Sequence, residues 1–299
     1  VLATVVGAVV GALLGCRPAD PPPLEWNDAV VAGIEAWRAE HEDSYTRNWV
    51  TIEGLHFLKP GAQRAGSAPD NDVVLIASLP EHLGTFTVGA DEVTFEPEPG
   101  APITINGEAA TSAIVLRDDG TDEPDVIEAN GASVVAHPSG ARISLRVRDP
   151  NGERARTFEG FDWFPISRDH RIPGRFIADA TPRSLPVVNT FGDVDTYETE
   201  GVVEFTLNGE PLRLRPFTTE PGRFYFVFND ASSGDETYEA ARFLYSDLNE
   251  DGTTILDFNE AYNPPCSFNP FTTCPIPLPE NRLPIKVLAG EKKYRGAEP

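Results

Sequence analysis

The chain has 299 residues and carries 47 acidic against 24 basic side chains, a formal net charge of −23. That length has room for one large or two ordinary domains with a real core, and the lack of any basic stripe excludes nucleic acid as a partner, because phosphate binding rests on clustered Lys and Arg. Lysine occurs only at positions 59, 286, 292 and 293; so acidic a surface repels itself in dilute buffer and is screened in strong salt, which points to a halophilic, high-salt setting.

Residues Val1 to Gly15 are apolar or small and lead into Leu13-Leu14-Gly15-Cys16. The run is shorter than the roughly 20 apolar residues of a membrane span and resembles a bacterial lipoprotein signal peptide, in which the cysteine becomes the acylated first residue of the mature protein. No Lys or Arg precedes the run. The expectation is a signal over 1–16, lipidation at Cys16 and an extracytoplasmic protein whose membrane contact is a lipid anchor in the cell envelope. The proline-rich stretch 17–25 reads as a stiff spacer. Within 26–47, Trp26, Val30, Ile34 and Trp37 share one helical face, with Asn27 or Asp28 available as the cap.

From Trp49 the pattern turns to period two with regular turn residues, predicting a mainly β protein of two antiparallel units behind one N-terminal amphipathic helix. The first, 48–152, reads as a β-sandwich: Thr85–Val88 and Val93–Phe95 form a hairpin, Asn106-Gly107 marks a tight turn, Ile143–Arg148 alternates cleanly, and the acidic run 118–125 is an exposed loop. The second unit, 153–299, holds the strongest hairpin signal, Val202–Leu207 and Leu212–Arg215 around Asn208-Gly209, because that dipeptide supplies positive φ at the turn. Phe224–Phe228 is apolar on both faces and predicts a central strand.

Familiar catalytic signatures are absent: the chain has no HExxH, no GxSxG, no phosphate-cradling Gly-Lys-Ser/Thr loop and no dinucleotide fingerprint. No cofactor is implied. The five histidines stand at no ligand spacing, so no metal site is expected. Asp247-x-Asn249-x-Asp251-Gly252 copies half of a calcium loop, but Phe258 occupies the place of the bidentate acidic ligand; such clusters also make plain turns. Cys266 and Cys274 lie in one proline-rich segment and read as a short-loop disulfide in an oxidising compartment, a metal pair being the alternative.

Chemistry-bearing residues crowd the last third of the chain: Arg171, Tyr238, Arg242, Asp257, Asn259, Asn263, Asn281 and Glu291. They admit two readings. In one they line a C-terminal pocket, where Arg171 or Arg242 clamps an anionic group and Asp257 with Tyr238 handles recognition or proton transfer. In the other the asparagines and Asp257 satisfy irregular backbone, and Arg242 pairs with Asp230 or Glu291. The first gives a binding protein for a small polar ligand or peptide, or a hydrolase of unrecognised type with Asp257 as general base. A protein-interaction module of the envelope is the third possibility.

Trp163-Phe164-Pro165, the Ser-Gly-Asp-Glu-Thr-Tyr core within Asp230–Arg242, the run Leu256–Cys266, Thr273-Cys274-Pro275, Glu280-Asn-Arg-Leu-Pro284 and Ala289-Gly-Glu-Lys292 resemble the domain of unknown function 1684 family from about Trp37 onward. That family, often found as bacterial lipoproteins, implies no activity; it supports the anchor and the disulfide. Gly66-Ser67, Asp70-Asn71-Asp72, His82-Leu83-Gly84 and Ile105-Asn106-Gly107 resemble the forkhead-associated sandwich. Ser67 stands where that fold has the arginine that grips phosphate, so the resemblance implies the sandwich without phosphopeptide binding.

Overall fold

The computed structural model describes residues 24–90 and 92–296 and is mainly β, as its sequence pattern predicts. The expected signal peptide, Cys16 and most of the proline-rich spacer lie outside the described residues.

Helix α1 (Asp28–Tyr45) begins where the cap was expected: the Asn27 side chain accepts from the Val30 amide at 3.0 Å. It runs on into a π-helical turn over Thr46–Val50. Ile34 and Tyr45 are buried, and Trp37, His41 and Tyr45 enter an aromatic cluster with Phe161, Trp163 and Tyr262. Burial among these rings pulls His41 down to about 4. The helix is therefore held to the second β unit by ring packing and by Arg38, whose guanidinium donates to the Asn259 and Phe164 carbonyls at 2.9–3.2 Å.

The first β unit contains β1 (Ile52–Phe57), β2 (Gly61–Gly66), β3 (Val73–Val74), β4 (Gly84–Val88), β5 (Val93–Pro97), β6 (Thr104–Ile105), β7 (Glu108–Ala109), β8 (Ile114–Val115), β9 (Ile127–Ala129), β10 (Ala132–Ser139) and β11 (Arg142–Arg148). They form two sheets, ordered β1-β11-β10-β9-β6-β7 and β3-β2-β4-β5-β8. Alternate residues of each face a shared core containing Phe86, Phe95, Val134 and Leu145, the burial pattern that period-two strands produce when two sheets stack. The β4–β5 hairpin is formed as read, and Asn106 and Gly107 both take positive φ at the β6–β7 turn.

The second unit contains β12 (Arg171–Val188), β13 (Val194–Leu207), β14 (Glu210–Leu214), β15 (Phe217–Glu220), β16 (Arg223–Phe228), β17 (Arg242–Asp247) and β18 (Thr253–Asp257). The sheets are ordered β14-β13-β12-β18 and β15-β16-β17. β13 also lies against β15, and a Leu248–Thr254 bridge joins the ends of β17 and β18, so the two sheets curl around one core. Its interior is packed with Phe205, Phe224, Phe226, Phe228 and Phe258. The β13–β14 turn has Asn208 at φ 55° and Gly209 at φ 81°, the backbone that the dipeptide was read to supply. Between β17 and β18, Asp251 Oδ1 accepts from the Thr253 amide and hydroxyl; the half calcium loop is a hydrogen-bonded turn.

The tip of the long β12–β13 hairpin reaches the sandwich. Asp193 receives Arg142 at 2.6 and 2.7 Å and the Ser139 hydroxyl at 2.6 Å. Beside it, His137 Nδ1 lies 2.8 Å from Asp119 and Nε2 lies 2.9 Å from the Thr273 hydroxyl, so a histidine of β10 is tied to the C-terminal segment.

Candidate functional site

The eight polar residues flagged in the last third do not gather around one hollow. Each is consumed by a short-range partner. Arg171 and Asp257 face each other across the β12–β18 register and form an ion pair, with the Asp257 side chain only 6% exposed. Asp257 Oδ1 accepts from the Asn259 amide at 3.2 Å and from Asn259 Nδ2 at 2.8 Å. Asn259, fully buried, also exchanges a pair of hydrogen bonds with the Ser167 backbone at 2.8 and 2.9 Å. Both Asp257 oxygens are thus engaged, which removes the geometric motive for Asp257 as a general base.

Glu291 and Asn263 form a second buried unit. The Asn263 amide and side-chain nitrogen donate to the two Glu291 oxygens at 2.9 and 2.8 Å, and Asn263 Nδ2 also reaches the Lys292 carbonyl at 2.7 Å. Burial pushes Glu291 up to about 8, against the lowering effect of Asn263 and Arg242. The chain can pass this closely because Gly290 sits at φ +77°: a Cβ there would lie 2.1 Å from the Ala261 carbonyl oxygen. Asn281 clamps three strand ends, bonding the Arg215 amide and carbonyl at 2.8 Å and the Val227 carbonyl at 3.0 Å. Tyr238 donates to the Cys266 carbonyl at 3.2 Å.

Arg242 pairs with Asp230, as one of the two readings had it. Both side chains are 0% exposed, with Nη1 2.8 Å from Asp230 Oδ2. Arg242 also donates to the Val287 carbonyl at 2.9 Å and to the Ala289 carbonyl. Asp230 Oδ1 accepts from the Ser232 amide and hydroxyl at 2.7 and 2.5 Å and from the Val287 amide at 3.2 Å. A buried charge needs this density of partners to offset its desolvation.

The expected disulfide is not formed in the structure. Cys266 and Cys274 are buried free thiols, with the Cys266 amide 3.4 Å from Cys274 Sγ. The hydrogen bond between the sulfurs, together with burial, pushes the Cys266 thiol up and keeps it protonated. Oxidation proceeds through the thiolate.

Among the described residues, three of the surface cavities stand out, and none of these three is lined by any of the eight residues. One of about 590 Å³ sits at an end of the sandwich beside Leu58, Leu116 and Ile143, and one of about 430 Å³ lies between Phe164 and Lys292. The third, of about 400 Å³, is lined by Asp230, the partner of Arg242, together with residues of two chain segments. Asp230, Asn229, Ser233 and Glu239 come to it from the loop joining β16 to β17, and Arg282 and Ile276 from the segment after the cysteines. Backbone bonds fix the two sides together: the Asn229 amide donates to the Asn281 carbonyl at 3.0 Å and the Leu283 amide to the Asn229 carbonyl at 2.8 Å. Arg282, between them, makes no hydrogen bond or ion pair among the described residues. Asn229 Nδ2 is spent on Ser233 Oγ at 3.3 Å and the Glu239 carbonyl at 3.1 Å. The Glu239 carboxylate lies 3.4 Å from Lys293 and is more than half exposed.

Asn229, Ser233, Glu239 and Arg282, which line this cavity, are not among the eight residues the sequence singles out. Ser233, Glu239 and Arg282 fall inside motifs the sequence singles out, but nothing in their spacing shows which polar groups of those motifs line a cavity.

Residues 156–292 match the family model described as a protein of unknown function, DUF1684. The match bears out the resemblance and covers a shorter span than the stretch from Trp37 expected of it. All the residues lining the groove lie within it. No curated protein matches the chain. Among solved structures it is similar to an uncharacterized protein of Haloarcula marismortui determined by solution NMR, with 28% identity, 50% of this chain and 84% of that chain covered, and a TM-score of 0.41. Weaker likenesses are to an FHA domain studied for phosphothreonine-dependent interactions (15% identity, 31% of this chain and 92% of that chain, TM-score 0.21) and to Mycobacterium tuberculosis EmbR in complex with a low-affinity phosphopeptide (16% identity, 42% and 31%, TM-score 0.22). In the sandwich of this chain Ser67 Oγ donates to the Leu79 carbonyl at 2.9 Å, and Asn71 Nδ2 to the Ala68 and Glu81 carbonyls at 2.8 and 2.7 Å.

The raised Glu291 and Glu260, the latter pushed up to about 7 by burial and by Asp257, bind protons in the folded state that the unfolded chain has released. Their stabilising contribution is complete below the ordinary carboxylate range near 4.5 and is lost as pH rises through about 7 to 8. His41, lowered to about 4, acts in the opposite direction, but only up to its unfolded value near 6.5. Urea midpoints should therefore fall from pH 6.5 to 9, and Glu291→Gln should flatten that decline; an unchanged slope in the variant would show that Glu291 is not protonated in the fold.

Proposed function

We propose that the chain is an envelope-anchored binding protein that takes a small polar ligand or peptide in the groove lined by Asp230 and Arg282. One observation carries this: an unpaired guanidinium, that of Arg282, at a cavity of about 400 Å³ whose lining includes Asp230, a residue fixed by its buried ion pair with Arg242. Small-molecule sites combine a preformed hollow of about 300–1,000 Å³ with a few convergent polar groups, and a rigid lining lets such groups keep their geometry before a ligand arrives. The polar residues nearest the cavity that are already consumed, Asn281 and Arg242, hold its walls.

The anchor rests on sequence: the apolar run ending at Cys16, followed by a proline spacer that would hold the folded body off the bilayer. In an oxidising compartment Cys266 and Cys274, eight positions apart and adjacent in space, would join while the segment is still open during folding. The acidic surface suits strong salt.

Two experiments test these readings. Mass spectrometry of the protein taken from membranes should find acyl groups on the Cys16 peptide and a cross-linked Cys266–Cys274 peptide without reductant; an unmodified Cys16 in a chain that continues upstream of it would rule out the anchor. A thermal-shift screen of polar metabolites and short peptides in molar salt should give ligands that raise Tm for the natural protein and not for Ala240→Trp, which fills the groove from its wall. Ligands that stabilise both equally bind elsewhere, and the groove is then not the site.

A further inference from the structure

We infer that the ligand of this groove is zwitterionic, carrying a carboxylate and an ammonium on a short apolar body, as a free amino acid or a short peptide does. The inference rests on the groove being the binding site and names what that site selects.

Several polar groups of the groove are uncommitted. The guanidinium of Arg282 is a planar fork of donors that matches a carboxylate in two parallel bonds, and it has no partner among the described residues. Next to it the Ser233 oxygen already accepts from Asn229 Nδ2 at 3.3 Å and from the Asp230 amide at 3.2 Å, so what it has left to offer is its hydroxyl hydrogen, a second donor for the same anion. Acceptors come from two other residues of the same lining, Glu239 and Asn229. The Glu239 carboxylate is held only by a 3.4 Å pair with Lys293 in which both side chains are more than a third exposed, a contact that a ligand ammonium displaces at small cost. Asn229, with both its amide nitrogen contacts directed away at Ser233 and the Glu239 backbone, presents its carbonyl oxygen as a further acceptor.

Ala240, Leu283 and Ile276, the last 38% exposed, add aliphatic surface to the same groove. A guanidinium, a carboxylate and aliphatic surface lining one groove match an amino-acid backbone with an aliphatic side chain. Other ligand classes fit less well. A phosphate dianion meets a single guanidinium with Glu239 beside it, in a protein whose formal net charge is −23. A sugar finds no aromatic face, since no ring lines the groove. Among the described residues no group of three ligating side chains is placed to hold a metal ion.

The test is isothermal titration calorimetry on the full chain in molar salt, with leucine, di-leucine and tri-leucine as zwitterions of increasing charge separation, leucinamide lacking the carboxylate, and 4-methylpentanoate lacking the ammonium. At least one zwitterion should bind at least tenfold more tightly than either single-charge analogue. Arg282→Gln should erase the preference over leucinamide, and Glu239→Gln the preference over 4-methylpentanoate. Both positions are exposed, and circular dichroism should show the fold unchanged. The length that binds best separates a free amino acid from a peptide. Zwitterions binding no better than the amide or the acid overturn the inference, while other ligands blocked by Ala240→Trp leave the groove itself standing. Binding that survives Ala240→Trp overturns the groove and the inference together.

Discussion

The C-terminal half of the molecule depends on one buried ion pair. Asp230 and Arg242 are both withdrawn from solvent, and the desolvation of two charges is offset by the partners their polar atoms find, Arg242 Nε alone of the pair's side-chain atoms having none. Here the offset comes from backbone. Arg242 takes the carbonyls of Val287 and Ala289, and Asp230 takes the amides of Ser232 and Val287. The pair therefore fixes the start of the β16–β17 loop, the first residue of β17 and the returning C-terminal segment in one geometry. The groove is lined by the loop that begins at Asp230 and by the returning segment at Arg282 and Leu283.

The same economy explains why so many functional-looking residues turn out to be spent. The segments after β18 contain little regular structure, yet Asn259, Asn263, Asn269 and Asn281 are all fully buried. Irregular backbone inside a protein must still pair its amides and carbonyls, and asparagine, with a donor and an acceptor on one short side chain, does this for both at once. Asn281 bridging Arg215 and Val227, and Asn269 reaching the Trp49 and Ile52 carbonyls, are the equivalent of sheet hydrogen bonds where no strand is available. A dense run of polar residues was the strongest functional signal in the sequence, and it marks structural cost as much as chemistry.

What could be read in advance follows from the range of the interaction involved. Hairpins set by neighbouring residues, such as Val202–Leu207 turning at Asn208-Gly209, were legible because the turn chemistry is local. Phe224–Phe228 as a buried central strand was legible from its lack of alternation. The pairing of His137 with Thr273, 136 positions away, and the curling of the β12–β13 sheet onto β15 were not, because nothing local encodes the partner. The choice between Asp230 and Glu291 for Arg242 was open for the same reason, and Glu291 instead took Asn263. The groove lay beyond reach in a different way: Arg282 is distinguished only by what it fails to contact, which no single sequence displays.

The claim that the Asp230–Arg242 pair organises this half is tested most directly by a double-mutant cycle with Asp230→Leu and Arg242→Met, read as unfolding free energy in urea. Each single variant leaves an uncompensated buried charge and should cost about 3–5 kcal/mol, with the double variant losing no more than either single one. Losses that simply add would mean that the two residues act independently, and the pair would no longer account for the geometry around it.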